Sequence, residues 1–160
     1  MARFSRKGVT KVLFVETIAD PGYMPTAIEL AAAIDYSKAL AATDGWSIEN
    51  QEIETPDLAS TFVAKIPGDD SAADSSLTFY EDDVDDDIEE NLAKGTTGFV
   101  VWCRKGKAAG SKGMDVFPVR VASNSAQVSL DNESAKLLVK FSIIDRPLQN
   151  ATVPASGGGG

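Results

Sequence analysis

The residue types that carry most enzymatic chemistry are scarce in this chain. It contains no histidine, which removes Ser-His-Asp and Cys-His hydrolysis, imidazole acid–base work and His-ligated metal sites together. The single cysteine, Cys103, can form neither an intrachain disulfide nor a zinc site of two or four thiolates. At the end of the apolar run Phe99-Val100-Val101-Trp102 it reads as a buried, inert thiol. The segment Gly106-Lys107-Ala108-Ala109-Gly110-Ser111-Lys112-Gly113 has the glycines and lysines of a phosphate loop but not their spacing, and a strand rather than a helix follows it. Ser111 has Ala109 where a nucleophile elbow needs glycine, and no base to activate it. Adjacent carboxylates such as Asp69 and Asp70 come without a cue for a cleft, so a glycosidase pair is not indicated. No catalytic residue, metal or cofactor is expected.

Charge is the stronger signal. The net charge is −9, and residues 69–90 hold eleven acids with no Lys or Arg. Eight of those acids fall at Glu81, Asp82, Asp83, Asp85, Asp86, Asp87, Glu89 and Glu90. From Asn91 to Met114 the pattern inverts, with no acid and with Lys94, Arg104, Lys105, Lys107 and Lys112. The acidic run lacks the glycine of a calcium loop and has the apolar spacing of a helix. It therefore reads as a solvated helix face or as a patch between subunits. Like charges four residues apart, such as Asp82–Asp86 and Asp85–Glu89, cost roughly 0.2–0.5 kcal/mol each in a helix. The helix dipole offsets part of this; a basic neighbour would offset the rest. The basic loop Arg104, Lys105, Lys107 and Lys112 on an adjacent copy is the candidate. An acidic protein is also a poor general binder of nucleic acid, since affinity there comes from neutralising phosphates.

The elements that must position these charges are mostly short strands. Residues 9–18 alternate with both faces apolar, which marks a strand covered on two sides. Thr26 and Glu29 have capping-box spacing at the start of a short helix of Ala27 to Ile34. Strands are expected from Trp46 to Glu54, Ser60 to Ile66 and Ser76 to Glu81. A helix follows from about Asp83 to Ala93, with Val84, Ile88 and Leu92 as its apolar stripe and Lys94-Gly95 as its stop. Further strands are Phe99–Cys103 and Val116–Ala122, the latter at a sheet edge because of Pro118. A C-terminal hairpin then presents Leu137, Val139, Phe141 and Ile143 to the core. The 160 residues suit one domain, a mainly β fold of seven to eight short strands in a β-sandwich or β-barrel with one or two flanking α-helices. The division is an N-terminal arm at 1–8, the domain at 9–146, and a C-terminal arm with a flexible glycine tail at 147–160. No stretch approaches the ~20 apolar residues of a membrane span. The Arg3–Lys7 start is not followed by a signal-peptide core, because Lys11 and Glu16 interrupt it.

In order along the chain, several stretches resemble the major tail (tail tube) proteins of long-tailed, siphovirus-type bacteriophages, especially those of actinobacteria. They are Pro25-Thr26-Ala27-Ile28-Glu29-Leu30, Thr55-Pro56-Asp57-Leu58, Phe62 to Gly68, Ser76-Leu77-Thr78-Phe79-Tyr80, Gly98 to Val101, Asp115 to Val121, and Phe141 through Pro147 to Ala155. The resemblance implies a structural protein of the virion tail, assembled in the host cytoplasm as hexameric rings that stack into a hollow tube. It also implies an acidic lumen that conducts double-stranded DNA during ejection, and as partners further copies of itself, a tape-measure protein, a tail terminator and tail-tip proteins. No membrane is involved. Candidate lumen-facing residues are Glu49, Gln51, Glu52 and Glu54, on a strand whose polar residues need a wet surface. The seven acids Asp82, Asp83, Asp85, Asp86, Asp87, Glu89 and Glu90 belong to an inter-subunit or exterior helix. The alternative is a monomeric ligand-binding β-sandwich, a virion decoration or carbohydrate-binding module, in which Trp46, Trp102, Tyr23 and Tyr80 form a stacking platform.

Overall fold

The computed structural model describes residues 3–84 and 86–154. Among them are β1 (Lys11–Val15), α1 (Ala27–Ala31), β2 (Ile34–Asp35), β3 (Leu40–Asp44), β4 (Ile48–Asn50), β5 (Ile53–Thr55), β6 (Ala64–Ile66), β7 (Asp70–Ala72) and β8 (Ser75–Tyr80). They are followed by α2 (Asp87–Asn91), β9 (Thr97–Cys103), β10 (Lys112–Gln127), β11 (Lys136–Ile143) and β12 (Leu148–Thr152). The mainly β reading of the sequence holds. One antiparallel sheet runs in the order β2-β1-β9-β10-β11-β8-β3, with β12 also paired to β10.

This sheet curls into a barrel because its two rims are joined by only four residues, Tyr36 to Ala39. The amide of Tyr36 donates to the Val12 carbonyl at 3.1 Å and that of Tyr80 to the Ala39 carbonyl at 2.8 Å, so the connecting turn is tied to both sides. Inside lie Val12, Phe14, Tyr36, Leu77, Phe79, Val100, Phe117, Val119, Val121, Val139 and Phe141. The alternate residues of β1, β9 and β10, Leu13, Val15, Val101, Cys103, Met114 and Val116, form a second core on the outer face with Ile18, Leu30 and Val153. These strands are apolar on both faces because both are buried, as 9–18 and 99–103 predict. The outer layer is held by α1, whose Thr26 and Glu29 complete the capping box: Glu29 N donates to Thr26 Oγ1 at 3.1 Å and Thr26 N to Glu29 Oε1 at 2.9 Å.

Pro118 corrects the edge assignment. It sits in the middle of β10, opposite Phe99 of β9. Its carbonyl accepts from the Ile144 amide at 3.0 Å, so its missing N–H points to the same side, where β11 ends and β12 has not begun. The proline occupies the one gap in that ladder. Leu148–Thr152, placed in a C-terminal arm by the sequence, pair with Val116 to Lys112, and Val153 is buried. That stretch is part of the sheet. Residues 155–160, with the glycine tail, lie outside the described residues.

Two further expectations change shape. The strands expected at 46–54 and 60–66 are not layers of the body: β4 pairs with β7 and β5 with β6 in two separate two-stranded ladders. Together they make one ribbon in which every residue from 51 to 67 is exposed. The chain enters it through two left-handed residues, Gly45 (φ 81°) and Trp46 (φ 65°). A Cβ at Gly45 would meet the Asp74 carbonyl at 2.1 Å, so only glycine fits there. The two ladders join where Gly68 passes Gln51, a Cβ there lying 2.0 Å from the Gln51 carbonyl. The helix expected over 83–93 contracts to α2. Val84 is exposed, and its amide donates to Asp82 Oδ1 at 2.9 Å, a side-chain turn that competes with helix. Ile88 and the fully buried Leu92 still pack on the barrel core, but the helix stops at Asn91 with Leu92 as its cap, so Lys94-Gly95 is not its stop: Gly95, left-handed at φ 91°, donates to the Val121 carbonyl instead.

Phe79, fully buried and packed on Tyr36 at a 5.2 Å centroid separation, reports on barrel closure. Phe79→Ala is expected to cost about 3–5 kcal/mol in urea denaturation; a loss below about 1 kcal/mol would mean that the barrel interior is not packed as described.

Candidate assembly surfaces

With no histidine and no group of three or more acidic or cysteine side chains able to hold a metal among the described residues, the functional features are surfaces. The basic loop connects β9 to β10. Arg104 folds back rather than out: its Nε lies 2.7 Å from Asp115 Oδ2, donates to the Gly113 carbonyl at 3.1 Å, and its guanidinium reaches Asn150. Asp115, a buried carboxylate, also accepts from the Asn150 amide at 2.9 Å. A buried acid needs such a partner set, and this pair staples the loop to β12. The loop backbone is joined there as well, with Gly110 N donating to Val153 O and Val153 N to Ser111 O. Lys105, Lys107 and Lys112 remain exposed. Of the predicted four, Arg104 serves the fold and three lysines are presented outward.

The acidic surface divides differently from its prediction. Glu81, Asp82 and Asp83 lead into the turn before α2, and Asp86, Asp87, Glu89 and Glu90 lie on and around α2. Asp85 lies outside the described residues. Glu81, Asp82, Asp87 and Glu89 line a cleft of about 410 Å³ with Asp35, Tyr36 and Lys38. Burial pushes the Tyr36 phenol up to about 12, and the nearby Asp87 charge adds to it. The Cys103 thiol is likewise raised by burial, to about 11, which fits an inert residue.

The candidate lumen residues Glu49, Gln51, Glu52 and Glu54 all lie on the ribbon, exposed. Glu54 faces Lys65 across the ladder while Ile53 faces Ile66, so the outer ladder has a charged side and an apolar side. Beyond it, the ribbon tip exposes Leu58 and Phe62. Lys65 approaches Glu52 at 3.8 Å with both side chains more than half exposed, a pair of little energetic weight. At the base, Arg146 Nη2 bonds Asp70 Oδ2 at 2.7 Å, and the Asn50 amide bonds Asp70 Oδ1 and the Gly68 carbonyl. The apolar tip was missed in the sequence because Ser60 to Ile66 scores as a core strand; the alternation of Ile53/Ile66 against Glu54/Lys65 is the signal that separates a ribbon from a buried sheet.

The aromatic residues do not form a platform. Trp46 and Trp102 meet edge-on, 6.0 Å apart at 63°, and Trp46 also packs on Phe117 and Phe141. Tyr23 packs on Phe99, and Tyr80 alone of the four is strongly exposed. That removes the observation on which a carbohydrate-type stacking site would rest.

Residues 1–156 match the phage tail tube protein family. The chain belongs to that family. It is therefore a structural subunit of a phage or phage-like tail tube, as the resemblance implied. The tail tube fold is seen again in solved structures. One is a chain of the extended sheath/tube terminator of PVC, an extracellular contractile injection system, with TM-score 0.65 and 11% identity over 94% of this chain and 99% of that one. Another is from the tail of an empty GTA particle, with TM-score 0.57 and 14% identity over 94% and 100%. A third is the SPP1 tail tube, with TM-score 0.54 and 18% identity over 91% of this chain and 78% of that one. At these identities the likeness is one of fold. No curated protein matches.

Hydrogen bonds from Asn50 and then Arg146 hold the Asp70 carboxyl below its ordinary 3.8. A depressed carboxylate favours the folded form above its unfolded value, and that contribution is lost as pH falls through the folded value. The tail tube ribbon is thus expected to loosen at its base only below about pH 4. In an NMR titration Asp70 should have a midpoint below 3.8, and Arg146→Ala should raise it part of the way back; an unchanged midpoint in that variant would show that the ion pair does not hold the ribbon.

Proposed function

We propose that this tail tube protein assembles as hexameric rings stacked into a hollow tube that conducts double-stranded DNA, and that it performs no catalysis. The observation that carries the reading is the family match over residues 1–156 in a chain whose ribbon has no place to bury its apolar side on its own body. A head-to-tail ring needs two different complementary patches on each subunit. Lys105, Lys107 and Lys112 on one edge and Glu81, Asp83, Asp86, Glu89 and Glu90 on another are our candidates for them, being opposite in charge.

A second face of the barrel is our candidate for the lumen wall. α1 and the segment before it cover the outer face of β1, β9 and the first half of β10. The outer face of β3, β8, β11 and the second half of β10 carries Asp44, Ser76, Thr78, Arg120, Ser125, Lys136, Lys140 and Ser142. In our reading this four-stranded face lines the tube, and the ribbon acids Glu49, Glu52 and Glu54 stand at the contacts between subunits. Such a lining combines hydroxyls with Arg120, Lys140 and Lys136, the last paired with Glu133, and differs from the acidic wall first expected. Terminator, tape-measure and tail-tip proteins are the further partners we propose.

Electron microscopy of concentrated protein should show six-fold rings or tubes, and raising the salt from 0.1 to 1 M, which shortens screening from about 10 to about 3 Å, should disfavour them. In particles, gold directed to a tagged copy should mark the whole tail shaft. Label confined to the tip or head, or a monodisperse monomer at every concentration together with an unlabelled shaft, would overturn the proposal.

A further inference from the structure

Five carboxylates border one cleft on the side of the barrel where the two sheet rims meet. Its volume of about 410 Å³ lies inside the roughly 300–1,000 Å³ of small-molecule sites. Asp35 comes from β2, Glu81 and Asp82 follow β8, and Asp87 and Glu89 come from α2; the one cation on its wall is Lys38. Asp35, Glu81 and Glu89 make no ion pair among the described residues. Between the acids the wall is apolar, with Ile34, Ala39 and Ile88 packed on the barrel core beneath it. Tyr36 and Tyr80 complete it.

Tyr36 is the observation that points to a ligand. The residue is only 5% exposed and its ring packs on Phe79. Its hydroxyl has no hydrogen-bond partner, although Asn91 and Asp87 stand close enough to act on it. A buried polar group without a partner is rare in a folded protein. The phenol stays neutral, since burial raises it to about 12, and its oxygen keeps lone pairs for an N–H donor. The wall beside it can give way. α2 is a single turn with no side-chain cap at its start, and so short a helix is held by packing rather than by its own hydrogen bonds.

The spread of the carboxylates selects the kind of cation. A calcium or magnesium ion needs several oxygens converging at about 2.0–2.6 Å, and no three acidic side chains among the described residues converge in that way. Charge distributed along an apolar chain fits instead. Its methylenes would lie against Ile34, Ala39 and Ile88, its ammonium groups on the separated carboxylates, and a tyrosine face would add cation–π attraction. We infer that the cleft binds a linear oligoamine, a small molecule with two or more alkylammonium groups, one donating to the Tyr36 hydroxyl and the others paired with Glu81 and Glu89. The site belongs to the single subunit and stands independently of the tube reading.

Calorimetric titration of the full chain with spermidine, butylamine and magnesium chloride at one ionic strength tests this. Spermidine is expected to bind one to one, roughly tenfold tighter than butylamine, since each added ammonium–carboxylate pair contributes modestly. Equal affinity for spermidine and magnesium would reduce the effect to the counterions of an acidic protein and overturn the site. Equal affinity for butylamine, the equivalent of one lysine side chain, would overturn the oligoamine. Glu89→Gln should weaken spermidine about fivefold, whereas Asp131→Asn, the same charge change at an exposed turn, should leave it within about twofold; equal losses would also refute the site. Tyr36→Phe separates ligand from fold. Removing an unpartnered hydroxyl should leave the melting temperature unchanged or higher and weaken spermidine about threefold. A lower melting temperature with unchanged affinity would show that the hydroxyl serves the barrel alone. In the parent, spermidine should shift the methyl resonances of Ile34 and Ile88 and leave those of Val128 and Leu130 in place; the reverse pattern would rule the cleft out.

Discussion

Two-sided burial of β1, β9 and β10 is the constraint from which the rest of the molecule follows. A strand apolar on both faces must have a layer on each, and here one layer is the interior of the curled sheet and the other is the stretch from Ile18 to Leu30 with Val153. Side chains such as Leu13, Val101, Val116 and Val119, all fully buried, contribute on the order of 1.5–3 kcal/mol apiece. A three-strand slab of this kind is rigid and needs no neighbour. The ribbon, the lysine loop and the acidic turn lie outside both cores, and in the proposed ring they are the parts that meet a neighbour. Stability and assembly are thus carried by different parts of one small chain.

How much of this could be read from the residues depends on how local the deciding interaction is. The capping box of α1 involves side chains three positions apart, and the inward face of β11, Leu137, Val139 and Phe141, is set by a period of two. Both were legible. The ribbon was not, because a run such as Phe62-Val63-Ala64-Lys65-Ile66 has the same composition whether it enters a core or stands in solvent. What decides is the left-handed pair Gly45-Trp46, which sends the chain off the body, and that depends on the Trp46 amide donating to Ser75 Oγ and its indole to the Ser76 carbonyl, some thirty residues on. Pro118 misled for a related reason. A proline excludes a hydrogen bond on one side at one position, and an interior strand can place that position at a break in its neighbour.

The charges show the same split between local and distant causes. Arg104 and Lys105 are adjacent and look alike, yet Arg104 is committed inward by Asp115, itself buried among Met114, Val116 and the C-terminal strand. A lone acid inside an otherwise apolar strand predicts a buried cation, and the planar guanidinium of the nearest arginine can satisfy two oxygens and a backbone carbonyl at once where a lysine could not. The lysines left outside make no ion pair among the described residues. The acidic run follows the opposite course: its side chains compete with the helix by capping their own backbone, as Asp82 does at Val84, so the charge stays at a surface turn.

The ribbon carries a general hazard together with features that limit it. An isolated two-stranded ribbon is marginal in water, and one bearing Ile53, Ile66, Leu58 and Phe62 in solvent would ordinarily pair edge to edge with any copy it met. Here its edges are interrupted at Gln51 and Gly68, so no long straight ladder is offered, and its acids repel the acids of a second ribbon approaching in the same sense. Like-charge repulsion of this kind disfavours a symmetric ribbon-to-ribbon pair. A symmetric pair would close on itself after two copies, whereas the ring proposed above needs a contact between two different surfaces, which leaves one of each always open.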